Sequence, residues 1–284
     1  MDKDDYRLLA EMLARHVDGL QAVSAAWGRD VMEAYEETER DILLLVDRIY
    51  QDFGKFALDA STMRKLRQIQ AMITEMRAGG LTYAMEYIGG ALSNLVKNEV
   101  SFGELWLVAM LSLNLGLDVE SVRRTTNIKT LTQEQSSSVR KYGVYSGNTV
   151  DDIFRKISEA DATRIYSSVS KGLSGRVKPD VVRYELIKAM ATTRRQIEVN
   201  VALIVNGVAN DVSVSMARKN TAIVDEVMWV TEMDDRVCSD CDALEGMTFS
   251  PDDAPSCPMH PNCRCYLVPV TKNISIDIKD LRNA

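Results

Sequence analysis

The stretch VMWVTEMDDRVCSDCDALEGMTFSPDDAPSCPMHPNCRCYLVPV, Val227 to Val270, holds all five cysteines of the 284-residue chain and one of its two histidines. The spacing is Cys238-x2-Cys241, fifteen residues, then Cys257-x2-His260-x2-Cys263-x-Cys265. A C-x2-C turn aims two thiolates at one point, and a second knuckle supplies the remaining ligands of a tetrahedral zinc site. Six candidates compete for four places, and spacing leaves two solutions open. One is Cys238, Cys241, Cys257 and His260; the other is Cys238, Cys241 and His260 with either Cys263 or Cys265. Arg236 and Arg264 flank the thiols and are expected to favour thiolates. Val227–Thr231, Met247–Phe249 and Cys265–Val270 read as short strands, with Pro269 confining the last to an edge. Three such strands bury too little area alone and need a helix, a metal or both.

Upstream of the cysteines the pattern is helical. Leu9, Leu13, Val17 and Leu20 define a stripe over residues 6–24, in which His16 reads as a packed residue. A second helix is expected over 29–58, with an acidic run from Glu33 to Asp41 ahead of Ile42-Leu43-Leu44-Leu45-Val46, whose unbroken apolar character suggests burial on several sides. Met63, Leu66, Ile69, Ile73 and Met76 mark a third helix, which Gly79-Gly80 should end. Further helices are expected over 83–96 and 102–115, split by Gly89-Gly90. Others cover 151–169 and 180–191, the latter with Pro179 at its first position, and a long one passes through Ile197, Val201, Ile204, Val208 and Val212. The predicted fold is therefore mainly α, with a small α+β cysteine-rich module of short antiparallel strands at the C-terminal end. The expected divisions are a helical domain over 1–125, a linker or exposed arm over 126–150, a helical part over 151–226, the cysteine-rich module over 227–270 and a tail over 271–284.

Composition narrows the classes of function. Apolar residues make up 46% and charged residues 26%, near the globular average, which excludes a mainly disordered or many-span membrane protein. Net charge is −7, unevenly spread: −7 over residues 1–60, +5 over 61–230 and −5 over 231–284. The acidic C-terminal end opposes phosphate binding there. The better basic candidates for DNA contact are Arg123, Arg124, Lys129, Arg140 and Lys141, or Arg194, Arg195, Arg218 and Lys219. The acidic start does not read as a signal peptide, and Leu105–Leu117 is too short to span a bilayer, so a cytosolic, membrane-free protein with reduced cysteines is expected.

Trp229, Asp235-Arg236-Val237-Cys238, Cys241, Leu244, Gly246, Phe249 and His260-Pro261-Asn262-Cys263-Arg264-Cys265 together resemble the C-terminal domain of the Mu F-like phage head morphogenesis family. Thr193-Arg194-Arg195-Gln196 with Asn200 and Ala202 is a loose version of an upstream helical signature of that family. Cys257 is not part of its motif, so the resemblance implies a structural zinc drawn from Cys238, Cys241, His260, Cys263 and Cys265. It also implies a structural minor head protein of a tailed bacteriophage, present in several copies per virion at the head or portal vertex and assembled in the host cytoplasm. Portal protein and major capsid or scaffold protein are the implied partners, and contact with packaged DNA is a further expectation. The competing readings are a DNA-binding zinc module and a zinc-dependent hydrolase or nuclease using Asp235, Asp240 or Glu245. The thiolate-rich ligand set and the lack of an H-E-x-x-H or Ser/His/Asp set favour a non-enzymatic protein.

Overall fold

A computed structural model describes residues 3–53, 60–141, 147–174, 176–232 and 234–272. Part of the expected arm, residues 142–146, and nearly all of the expected tail, from residue 273, lie outside the described residues. The elements in chain order are α1 (Lys3–Phe53), α2 (Ala60–Leu115), α3 (Val119–Thr125), α4 (Gln133–Lys141), α5 (Val150–Leu173), α6 (Pro179–Lys219), β1 (Val224–Val230), α7 (Ser239–Asp242), β2 (Thr248–Phe249) and β3 (Tyr266–Thr271). They form two compact units. The first draws on Met1–Ser24, Gly90–Gly147 and Ala202–Ala284, the second on Ala25–Gly89 and Asn148–Val201.

Helices are longer than periodicity predicts. The two expected over 6–24 and 29–58 are one helix, α1, and the three expected between 61 and 115 are one helix, α2. Both glycine pairs lie inside α2 instead of ending it. Each glycine costs a helix interior about 1 kcal/mol, which the burial of Ile73, Ala84, Ile88 and Leu92 along the same helix offsets. The real stop is Gly116, whose φ of 63° is open to glycine at little cost and directly follows Leu115. Asp118 then caps α3 by accepting from the Ser121 N–H at 2.9 Å. Thr149 opens α5 with a reciprocal capping box to Asp152.

The second unit has a four-helix core. Ile42, Val46 and Ile49 of α1 meet Leu66, Ile69 and Ile73 of α2, Ala162, Ile165, Val169 and Leu173 of α5, and Val182, Leu186 and Met190 of α6. Each set recurs at three- or four-residue steps, which is the stripe a helix needs to face a common centre. The apolar run at 42–46 is accordingly buried on one face only: Ile42 is fully buried, whereas Leu44 is 55% exposed. Gly172 sits where α5 approaches α1 and α6, and a Cβ there would overlap the Tyr50 hydroxyl and crowd Val182. Gly172→Ala is therefore expected to destabilise the protein by about 1–3 kcal/mol despite alanine's better helix propensity. Urea denaturation checks this, and an unchanged or raised midpoint would show that α5 can shift to make room.

In the first unit, β1 is the central strand of an antiparallel sheet ordered β2-β1-β3. Pro269 lies in β3 opposite Val227, so the edge position expected of it is observed. All six residues of β3 are buried. One set of side chains, including Trp229, Leu267 and four of the cysteines, packs with Leu107 of α2 and Ala217 of α6. Tyr266 donates to the buried Glu99 of α2 at 3.2 Å, and Glu99 also meets His16 of α1 at 3.0 Å. His16 is indeed a packed helix residue, its ring stacked 3.5 Å from that of Phe102. Helix α6 carries a window long and apolar enough to cross a membrane, but 72% of that window is buried inside the protein, as in a core helix.

Candidate metal centre

The chain leaves β1, turns, and places Cys238 as the N-cap of α7, where its Sγ accepts from the Cys241 N–H at 3.4 Å. One helical turn thus puts both thiols of the C-x2-C on the same side. After β2, the second knuckle is formed by a turn in which the Cys263 N–H donates to the His260 carbonyl at 3.0 Å. Asn262 takes a φ of 64° there, a left-handed conformation that asparagine tolerates better than most residues. His260 Nδ1 lies 2.8 Å from its own neighbour's carbonyl, at Pro261. With the proton on Nδ1, Nε2 is presented to the thiols, 3.1 Å from Cys238 Sγ and 3.2 Å from Cys241 Sγ. Cys241 Sγ is also 3.9 Å from Cys263 Sγ.

These donors fall into two groups, Cys238–Cys241–His260 and Cys241–Cys263–Cys265, which share Cys241. Cys257 belongs to neither; its thiol donates to the Cys265 carbonyl at 3.2 Å. Tetrahedral zinc with Zn–S of about 2.3 Å and Zn–N of about 2.0 Å sets its ligands roughly 3.5–3.8 Å apart. The observed 3.1–3.9 Å spacings and the soft S/N donor set fit such an ion. When bound, it would supply a cross-link between the two knuckles and neutralise their thiolates.

Electrostatics distinguishes the thiols. The Cys241 N–H bond holds the Cys238 thiol below its ordinary range. The neighbouring Cys257 and Cys265 thiols push the Cys263 thiol down. Burial pushes Cys241 up to about 12 and Cys257 well up, while Cys265 is raised by its bond to Cys263 and by burial. The two arginines that flank the thiols also have carboxylate partners. Arg264 bonds Asp234 at 2.6 Å and lies 3.6 Å from Glu232, and Arg236 bonds Asp234 at 2.7 Å. Arg264 and Arg236 in turn hold the Asp234 carboxyl well below the usual carboxylate range. Of the carboxylates considered as general bases, Glu245 accepts from the Thr231 N–H at 2.7 Å. The space at the cluster, lined by Cys238, Cys241, His260, Cys263, Cys265 and Arg264, is about 10 Å³.

Four residues that sequence reasoning did not single out hold the second knuckle and β3. Asn206 Nδ2 donates to the Cys263 carbonyl at 2.9 Å, Asn210 Nδ2 to the Cys265 carbonyl at 3.2 Å, and Ser213 Oγ to the Leu267 carbonyl at 2.5 Å. Trp106 Nε1 donates to the Pro269 carbonyl at 2.8 Å. The available signal was a set of polar residues at steps of four and three on the apolar stripe of α6.

Residues 137–268 match the family model described as Phage Mu protein F like protein, and residues 1–136 lie outside the match. That family is related to phage head morphogenesis, which supports a phage head protein. No curated protein and no solved structure matches the chain.

Proposed function

We propose that the protein is a structural, non-enzymatic minor head protein of a tailed bacteriophage, acting at the portal vertex during head assembly, DNA packaging or ejection. The observation that carries this reading is the Mu F-like match over residues 137–268. The thiolate-rich donor set supports the non-enzymatic part, because catalytic zinc sites keep a position for water and are seldom held by so many thiolates, whose charge weakens Lewis acidity. In this reading Cys238, Cys241, His260 and Cys263 hold a structural zinc, with Cys265 hydrogen-bonding the Cys263 sulfur. The partners are the portal protein and the major capsid or scaffold protein. DNA contact is the weaker alternative, because Arg194 is paired with Glu36 and Glu39 and Arg218 with Asp252.

Quantitative mass spectrometry of purified procapsids and mature particles tests the assignment. The chain is expected in both or in procapsids alone, at a small fraction of the major capsid protein. Its absence from every particle form would sink the virion reading.

A further inference from the structure

We propose that Asn206 and Asn210 are positioning residues of the metal centre: through their amides, α6 holds the Cys263–Cys265 backbone so that the thiols stand at the site before the ion arrives. The inference rests on the metal reading above and adds residues that lie outside the cysteine cluster.

The geometry is that of a side-chain strand. In the order β2-β1-β3 the outer edge of β3 has no neighbouring strand among the described residues, yet β3 is buried, and buried carbonyls and N–H groups require partners. Asn210 acts like one residue of a missing strand. Its Nδ2 donates to the Cys265 carbonyl, and its Oδ1 accepts from the Leu267 N–H at 2.7 Å. Donating to one backbone group and accepting from the next fixes which way the amide points. Asn206 and Ser213 extend the row to the carbonyls of Cys263 and Leu267. The row works because the repeats nearly match. A four-residue step along a helix advances about 6 Å, and a two-residue step along an extended chain about 6.6 Å. Asn206 and Asn210, one step apart on α6, therefore reach Cys263 and Cys265, one step apart on the knuckle. Both asparagines are nearly fully buried, at 8% and 1% exposure, so water cannot take their place. At Cys263 and Cys265 the thiols and the held carbonyls belong to the same two residues, and fixing the latter limits where the former can stand.

The test uses the full chain and compares wild type with Asn206→Ala, Asn210→Asp and Asn210→Leu. Asn210→Asp keeps the acceptor for the Leu267 N–H but sets a carboxylate oxygen against the Cys265 carbonyl. Zinc affinity is measured by competition with a chromophoric chelator, and the cobalt(II) form is followed through its thiolate charge-transfer and d–d absorption. The expected result is a 10- to 100-fold loss of zinc affinity in the Asn210 variants, with a smaller loss in Asn206→Ala and altered cobalt bands in all three. Wild-type affinity and cobalt bands in variants that are merely less stable would overturn the proposal. Should the Asn210 variants fail to fold, Asn206→Ala, which removes one donor, decides it by the same readouts. A wild-type chain that takes up neither ion defeats the metal reading itself, a result distinct from unchanged affinity in the variants.

Discussion

Cys241→Ser is expected to abolish stoichiometric zinc in the purified chain and to loosen the whole region from Val227 to Val270. Cys241 is the donor common to both groups in the cluster, and its side chain is almost fully buried, at 1% exposure. A serine hydroxyl is a poor ligand for a soft thiolate site, and without the Cys241 thiol nothing links the Cys238–His260 pair to the Cys263–Cys265 pair. The three strands contribute little stability of their own, so binding energy at this site is folding energy, on the order of 10 kcal/mol for a structural zinc. Zinc per chain should fall from a full equivalent to background, and limited proteolysis should open the segment between β1 and β3. Cys257→Ser is the informative partner experiment. Its thiol lies outside both donor groups and bonds a carbonyl, so this variant should keep its zinc. Loss of metal from Cys257→Ser with retention in a Cys263→Ser variant would transfer the fourth ligand to Cys257.

Arg77→Leu should cost the second unit about 3–5 kcal/mol, the range found when one member of a buried ion pair is removed. Arg77 is fully buried, with Nε 2.6 Å from Asp161 Oδ2 and one NH group donating to the Thr38 hydroxyl at 2.7 Å. Its guanidinium lies 5.6 Å from the centre of the Tyr35 ring. Around this pair, Thr193 donates to Asp161, Arg164 bonds Thr193 at 3.0 Å, and Arg194 bonds Glu39. Burial, only partly countered by Arg77, pushes the Tyr35 hydroxyl up to about 12. Leucine in place of Arg77 would leave Asp161, fully buried, without its main cation. The double variant Arg77→Leu/Asp161→Leu should recover part of the loss, because the uncompensated charge is gone. Urea melts of the two singles and the double form a cycle. A single-variant change within about 0.5 kcal/mol, the ordinary surface range, would mean the cluster is hydrated and carries no buried charge.

The two sites differ in how far they can be read from residues alone. The candidate metal ligands are legible because coordination would impose short, fixed spacings: Cys238-x2-Cys241 and His260-x2-Cys263 are each one local turn. The Arg77 cluster has no such mark. Arg77, Asp161 and Thr193 sit on three helices, and a lone arginine in an amphipathic segment reads as solvated. Thr193 and Arg194 were visible as part of a family-like signature, but their partners Asp161 and Glu39 were not. Asn206, Asn210 and Ser213 escaped notice for a related reason. Their value lies in matching a strand edge whose position periodicity does not encode.

By itself the sequence determined the mainly helical class, the C-terminal strands with Pro269 at an edge, the clustering of the thiols and the Mu F-like character of the C-terminal region. All of these rest on interactions between residues close along the chain or on recurring residue patterns. Only tertiary structure decided that Gly79-Gly80 and Gly89-Gly90 lie within one helix, because burial elsewhere on α2 outweighs a local propensity cost of about 1 kcal/mol per glycine. It also decided that Arg236 and Arg264 pair with the carboxylates of Asp234 and Glu232, partners that the spacing of the cysteines does not announce. And it set the amides of α6 against the outer edge of β3, where burial obliges every backbone group to find a partner.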